Sequence, residues 1–404
     1  MRTKLCLLAA ASTLATATPA YAGLGDPIEL DEDFTLDIQA ATRLRYETSD
    51  QANPAGKADA VTFRGRLGAE VSFHGFKVLA EGEGTVALVD DFNDTLPGNG
   101  VEPFSVVADP DNIELNRLQV SYSESGITGT LGRQRVIMGN ARFVGNVGWR
   151  QNEQTFDAAR LQVGSGPVTA DAVWAISQRT IFGKDSPNEF FDGDFVFLNL
   201  GLDLDVVDLS AFSYTVDYDT RLAFSSQTFG LTASSSIPLG GGAALNISGT
   251  YATQSEAGAN PTDYSADFVS VSAGATVAGF TLTGKYEVLG SDGGSAAFQT
   301  PMATLHAFQG WADLFLVTPS NGIKDYSASL RKQFSLPGIG NVTATVVYHD
   351  FDSDFGGIDY GSEIDASLGF RLGPVAMVAK YANYNAKGFA VDTEKFWLQA
   401  QWGF

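Results

Sequence analysis

From Leu36 onward the chain alternates apolar and polar residues with a period of two. Leu36, Ile38, Ala40, Thr42, Leu44 and Tyr46 share one face, and Asp37, Gln39, Arg43, Arg45 and Glu47 share the other. Side chains that swap faces at every residue belong to a β-strand. A run of about twelve such residues is twice the usual globular strand and suits a tilted crossing of a bilayer. The pattern returns at once. Phe63, Leu67, Ala69, Val71 and Phe73 oppose Arg64, Arg66, Glu70 and Ser72. After His74-Gly75, the set Phe76, Val78, Ala80, Val86 and Leu88 opposes Lys77, Glu81 and Glu83.

Carried along the chain, this reading predicts 18 strands: 34–47, 60–73, 76–89, 112–124, 127–134, 155–164, 167–178, 194–204, 206–217, 225–237, 242–254, 264–277, 280–290, 322–334, 340–351, 361–372, 374–385 and 393–404. The connections alternate in length. Short ones fall at His74-Gly75, Ser125-Gly126, Ser165-Gly166, Asp205, 238–241, Ala278-Gly279, 335–339 and Gly373. Long ones fall at 48–59, 90–111, 135–154, 179–193, 218–224, 255–263, 291–321, 352–360 and 386–392. Tight turns on one side and long loops on the other mark an outer-membrane barrel with both termini on the tight-turn side. A soluble β-sandwich or β-helix has no reason to sort its loops by parity. The expected fold is therefore all-β, a transmembrane antiparallel β-barrel of about 18 strands, with long outward loops folding into the lumen.

The last strand sharpens this. Phe396, Leu398, Ala400, Trp402 and Phe404 alternate with Lys395, Gln399 and Gln401, and the chain ends on the aromatic. Trp397 breaks the apolar-outward rule and is expected to point inward. The segment resembles the C-terminal strand that outer-membrane barrels present to the barrel assembly machinery, with Phe404 as its signal. An edge strand ending this way carries no charged or proline guard, so it needs closure against the first strand.

Composition adds limits. Arg2 and Lys4, the apolar run 5–16 and Ala20-Tyr21-Ala22 read as a signal peptide over 1–22, leaving the barrel at 23–404. The only cysteine, Cys6, lies in the signal, so disulfides, thiol chemistry and cysteine-held metals are excluded. No cofactor is expected. The formal charge of -22 becomes -24 once Arg2 and Lys4 are removed, and such acidity argues against nucleic acid. The expected surroundings are outer-membrane lipid and lipopolysaccharide, and a monomer is expected.

Charge facing lipid costs roughly 2–4 kcal/mol at the midplane, so the polar face of each strand must line the lumen. This puts Arg43, Arg45, Arg64, Arg66, Arg117, Arg160 and Arg179 inside. Arg133 shares register with Ile127 and Leu131, so it belongs at a strand end or past a bulge. Of 14 arginines beyond the signal, 11 lie between Arg43 and Arg179, which makes one wall arginine-lined. Acids such as Asp37, Glu70, Glu81 and Glu83 are interleaved with them. Between strands, the segment 132–160 adds Arg133, Arg135, Arg142 and Arg150 in a glycine- and asparagine-rich loop. Arginine stays ionised and grips carboxylates with a planar fork, and rings of it make pores favour anions. The alternative is that these arginines only brace the wall against lumen carboxylates. The loop 291–321, with Phe298, Phe308, Trp311 and Phe315, is too apolar to extend into water. It reads as a folded-in constriction whose flat rings suit sugars, or as a plug.

Two blocks carry a family likeness. One is Gly132-Arg133-Gln134, Arg142-Phe143-Val144-Gly145, Gly148-Trp149-Arg150-Gln151-Asn152 and Gln154-Thr155-Phe156-Asp157. The other is Phe298-Gln299-Thr300-Pro301, His306, Gly310-Trp311-Ala312-Asp313 and Thr318-Pro319. In these the chain resembles the alginate-export family of outer-membrane porins over nearly all of its mature length. The resemblance implies an 18-stranded barrel whose arginine-lined pore conducts a polyuronate outward.

Other signals are weaker. Asp350, Asp352 and Asp354 imitate a calcium loop, but Phe355 replaces its glycine and Gly361 its bidentate glutamate. No metal site is expected. The acidic loops read as solvated. Among His74, His306 and His349, only His306, with Asp313 nearby in sequence, poses as a catalytic base, and no nucleophile motif accompanies it. The expected function is passive passage of an anionic saccharide along Arg43, Arg45, Arg64, Arg66, Arg117, Arg133, Arg135, Arg142, Arg150 and Arg160, past Trp311 and His306, without catalysis. A general diffusion porin, a plugged structural barrel and a barrel enzyme are the alternatives.

Overall fold

The computed structural model describes residues 25–31, 33–53 and 56–404; the signal peptide read over 1–22 lies outside them. Eighteen antiparallel strands form one closed barrel. In chain order they are β1 (Phe34–Gln51), β2 (Ala58–Phe73), β3 (Phe76–Asp91), β4 (Asn112–Glu124), β5 (Ile127–Gln134), β6 (Thr155–Ser165), β7 (Val168–Arg179), β8 (Phe190–Asp203) and β9 (Asp208–Tyr218). The second half comprises β10 (Ser226–Gly240), β11 (Ala243–Glu256), β12 (Ser265–Val277), β13 (Phe280–Leu289), β14 (Ile323–Leu336), β15 (Gly340–Asp352), β16 (Asp359–Leu372), β17 (Val375–Ala386) and β18 (Thr393–Gly403). Each strand pairs with its chain neighbours, and β18 closes on β1 from Ala41–Gly403 to Gln51–Thr393. A short strand, Ile28–Asp31, folds back on the start of β1.

Period two fixes which way every strand faces. Leu67, Leu131, Leu200, Leu231 and Leu282 stand on the outer surface. In water so many exposed apolar side chains would aggregate; against acyl chains they are the solvent-matched face, and the barrel belongs in the outer membrane of a Gram-negative bacterium. Near the tight turns, Phe34, Phe73, Phe76 and Tyr122 stack in a row with centroids 4.5–5.5 Å apart, an aromatic girdle of the kind that sits at a lipid interface. Several strands run farther outward than the pattern predicts; β1 reaches Gln51 and β8 begins at Phe190. Above the lipid band neither face need be apolar, so the alternation fades while the hydrogen-bond ladder continues.

The lumen is packed unevenly. Over β6–β12 it holds an aromatic block of Phe156, Phe195, Phe197, Phe212, Tyr214 and Phe268, all buried. Phe143, from the loop between β5 and β6, wedges into it at 5.0 Å from Phe212 and 5.2 Å from Phe268. The opposite side, over β1–β4 and β14–β18, holds most of the buried charges beside a second aromatic cluster of Phe315, Phe351, Tyr360 and Tyr384.

Gly230 faces the Phe212 ring across the β9–β10 ladder, where a Cβ would collide with it. Gly230→Val should overpack the block and cost about 1–3 kcal/mol. A lower urea midpoint in detergent micelles is the expected result; an unchanged midpoint would mean that the block is loosely packed.

Candidate functional site

Two long loops enter the lumen and lock onto each other. Gly145 N–H donates to Met302 O at 2.9 Å, and Thr304 N–H donates to Ala141 O at 3.0 Å. Gln154 Nε2 reinforces the joint by donating to Gly145 O (2.7 Å) and Met302 O (2.9 Å). A side chain at Gly145 would strike Thr304, so glycine is required where the loops cross. Arg142 anchors the assembly. Its guanidinium donates to Glu287 of β13 (2.9 Å), Thr300 (3.1 Å) and Gln309 (3.1 Å).

Arg150 is the hub. It reaches Glu47 of β1 at 3.3 Å, Asp109 of the β3–β4 loop at 3.8 Å and Asp313 of the other constriction loop at 2.9 Å. Burial works against its charge, but Glu47, Asp109 and Asp313 outweigh that and hold it above the ordinary arginine value. Beside it, the Arg45 guanidinium lies 4.1 Å over the Trp149 ring, and the His306 ring stacks on Trp149 at 4.7 Å. Lys380 Nζ lies 4.2 Å from the Trp149 ring and 3.7 Å from the Trp311 ring.

Lys380 Nζ is 2.6 Å from His306 Nε2, and His306 Nδ1 is 2.9 Å from Asp313. An ammonium only donates, so Nε2 carries the lone pair and Nδ1 carries the proton given to Asp313. Burial, with Lys380 adding to it, pushes the His306 pKa down to about 3 despite Asp313. Asp313 is buried too, yet the His306 N–H, Lys395 and Arg150 hold it well below the usual carboxylate range. Both ring nitrogens of His306 are thus engaged. The loop tip is also gripped through its backbone: Ala312 N–H donates to Glu363 (2.8 Å) and Trp311 N–H to Asp365 (3.2 Å), both on β16.

The arginines divide into three sets. Arg43 and Arg45 hold the loop, donating to the carbonyls of residues 148–150 and 149 respectively, and Arg43 reaches Arg150 O at 2.9 Å. Arg64 stands beside Arg43 in the ladder, and its buried Nε and Nη1 have no hydrogen-bond partner. Arg66, Arg117 and Arg135 form the second set. Arg66 pairs with Glu83 and, at 3.4 Å, Glu153; Arg117 pairs with Glu81 at 2.7 Å; Arg135 pairs with Glu153. Burial alone would raise the pKa of Glu153, but Arg66 and Arg135 drive it below its ordinary value. Arg160, in the third set, lies lower in the lumen and is bound bidentately by Asp171 at 2.9 and 2.5 Å.

Arg133 does not join them. Arg179, expected inside, instead pairs with Glu189 at 2.6 Å and lies 4.9 Å over the exposed Phe190 ring; Arg133 stands on the outward face opposite Leu118, forked onto Asp157 at 2.8 and 3.0 Å. No bulge interrupts its ladders with β4 and β6, so its register with Leu131 is kept and it cannot line the path. Sequence reasoning missed the partners in the loops, Asp109 and Glu153, and missed Lys380 and Trp149 as site residues. The period-two pattern puts Glu47, Glu363, Asp365 and Lys380 on the inner face; nothing in it says which loop each meets.

No family model and no curated protein matches the chain. Solved structures do. The chain is similar to OccK9 (OpdG) of Pseudomonas aeruginosa, with a TM-score of 0.72 and 16% identity over 91% of this chain and 98% of that one. It is similar to OpdK of the same organism, solved with vanillate, with a TM-score of 0.71 and 13% identity over 91% and 98%. It is also similar to OccAB3 of Acinetobacter baumannii, with a TM-score of 0.68 and 13% identity over 91% and 99%. The fold is that of an outer-membrane porin. At such identities the likeness establishes architecture, and it does not extend to the alginate-export family in particular.

Two outcomes follow for the tip. A side chain at Gly310, which has φ +82°, would run into the Glu363 carboxylate. Gly310→Ala should cost about 1–3 kcal/mol of docking and raise single-channel conductance; an unchanged conductance would show that the tip does not limit flow. The docked His306 refuses a proton that a released one accepts near pH 6.5. Docking is therefore at full strength above about pH 6.5 and weakens as the pH falls toward about 3. Wild-type channels should show more large-conductance events across that window, and His306→Gln channels a weaker dependence.

Proposed function

We propose that this barrel is a passive channel for anionic saccharides, alginate-export-like in its substrate class. The observation that carries the reading is the exposure of the second arginine set. In each of those pairs the cation is the more exposed partner. Side-chain exposure is 11% for Arg66 against 0% for Glu83 and Glu153, 15% for Arg117 against 7% for Glu81, and 31% for Arg135 against 0% for Glu153. A solute in the lumen meets guanidinium edges, with the carboxylates behind them. Arg43 and Arg64, with no carboxylate partner among the described residues, add positive bias at the same height. The buried acids keep the attraction weak enough for release, as conduction requires.

OpdK, solved with vanillate, shares the architecture. Vanillate is a carboxylate, which is in keeping with an organic anion as cargo here. The uronate preference rests on the two loop motifs. The same reading assigns export to the 1–22 signal, the outer face to lipid and lipopolysaccharide, and Phe404 to recognition by the barrel assembly machinery. A second reading, a barrel closed by its own loops, draws on the interlocked joint around Arg150.

Planar-bilayer recordings separate the two. The channel should be anion-selective and blocked by uronate oligomers. Arg66→Ala with Arg117→Ala should shift the reversal potential toward cations, while Arg371→Ala, on the exposed tight-turn side, should not. Cation selectivity of the wild type sinks the proposal, and an absence of conductance supports the closed barrel.

A further inference from the structure

Below the aromatic block, on the tight-turn side, the lumen opens into a cavity of about 370 Å³ against β5–β9. Its chemistry differs from the arginine wall. Two rows of cross-strand neighbours form the lining. Thr128, Gln162, Asp171 and Asn199 are successive ladder partners in one row, and Thr169 and Ser210 flank Gly201 in the other. Unlike the charges of the constriction, all six are at least partly exposed. Five are uncharged hydroxyls or carboxamides. The sixth, Asp171, is already neutralised by Arg160 and accepts from Gln162 Nε2 at 3.3 Å.

We propose that this shelf is a saccharide subsite that binds the hydroxyl-bearing face of a sugar, distinct from the arginine wall; it rests on the reading of the barrel as a saccharide channel. The argument is one of complementarity. A sugar hydroxyl both donates and accepts, and it is best met by amides, hydroxyls and a carboxylate whose charge is balanced nearby. The Asn199 Oδ1 accepts from Tyr214 Oη at 2.7 Å, which orients the amide; its Nδ2 has no recorded partner among the described residues. Adjacent strands lie about 4.8 Å apart, so neighbouring polar groups are spaced on the scale of one pyranose ring. Gly201 keeps the shelf open, since a Cβ there would strike the Thr169 hydroxyl. Tyr214, itself stacked on Phe212 at 4.9 Å, ties the shelf to the aromatic block through its bond to Asn199. The volume falls at the small-ligand end of binding cavities, about 300–1,000 Å³.

The subsite makes the channel asymmetric. A neutral sugar, which the arginine wall ignores, should bind from the tight-turn side. The test is current block of the full-length channel in planar bilayers by maltotetraose, an uncharged oligosaccharide, added to each side in turn. Block should be stronger from the tight-turn side. Removing two polar contacts with Gln162→Ala and Asn199→Ala should raise the half-blocking concentration about tenfold. Ser210→Trp, which fills the cavity from another strand, should abolish the side preference. The reversal potential in a salt gradient, set by the arginine wall, should stay as in the wild type. Equal block of wild type and both variants, or no block from that side, overturns the subsite. Cation selectivity with the sugar block intact would instead overturn the anion reading alone.

Discussion

A barrel in lipid keeps unpaired charge inward, and Arg150 is where that constraint is met most completely. Alternation sends Glu47 into the lumen from β1; the β3–β4 loop adds Asp109 and the β13–β14 loop adds Asp313. One guanidinium satisfies all three. Removing it would leave Glu47 and Asp109 to share Arg45, and Asp313 to His306 and Lys395; breaking a buried pair typically costs about 3–5 kcal/mol. The positions of both constriction loops, of the Trp149–His306 stack and of Lys380 follow from that arrangement. The interior is a set of mutually neutralised charges on which the loops are seated.

Much of this was legible before any coordinates. The period of two determined the strands and their inward faces, and loop parity determined which end is which. Trp397, read as inward from one break in the pattern, is buried against the Trp149 ring with centroids 6.0 Å apart. The turning-in of the 135–154 and 291–321 loops was legible from their glycine and aromatic content. Their mutual joint was not, because Ala141, Gly145 and Met302 bond through backbone atoms that carry no side-chain signature. Nor does a periodic pattern say whether an inward arginine is free or paired. Arg142 and Arg150 read like an anion path, yet both spend their donors on loop and wall; Arg135 reads the same way and is the most exposed of the lumen set.

The lumen carries the aromatic block over β6–β12, a second aromatic cluster around Phe315 and Phe351, and the paired charges of β1–β4. Phe143 enlarges the block from within the same loop that carries Arg142 and Arg150. A single loop therefore supplies part of the aromatic block and two of the arginine anchors. The OccK-type porins share this barrel at 16% identity or less. So weak a likeness carries the strand count and leaves the inner lining of each barrel its own.

The seam between β1 and β18 has one further property. Arg43 donates to Gln401 at 3.0 Å and Arg45 to Gln399 at 2.6 Å, so the first and last strands are stapled from inside by the same two residues that hold the loop carbonyls. The seat for the constriction is complete only after the cylinder has closed. Strain that parts β1 from β18 would therefore also loosen the loop that Arg43 and Arg45 hold.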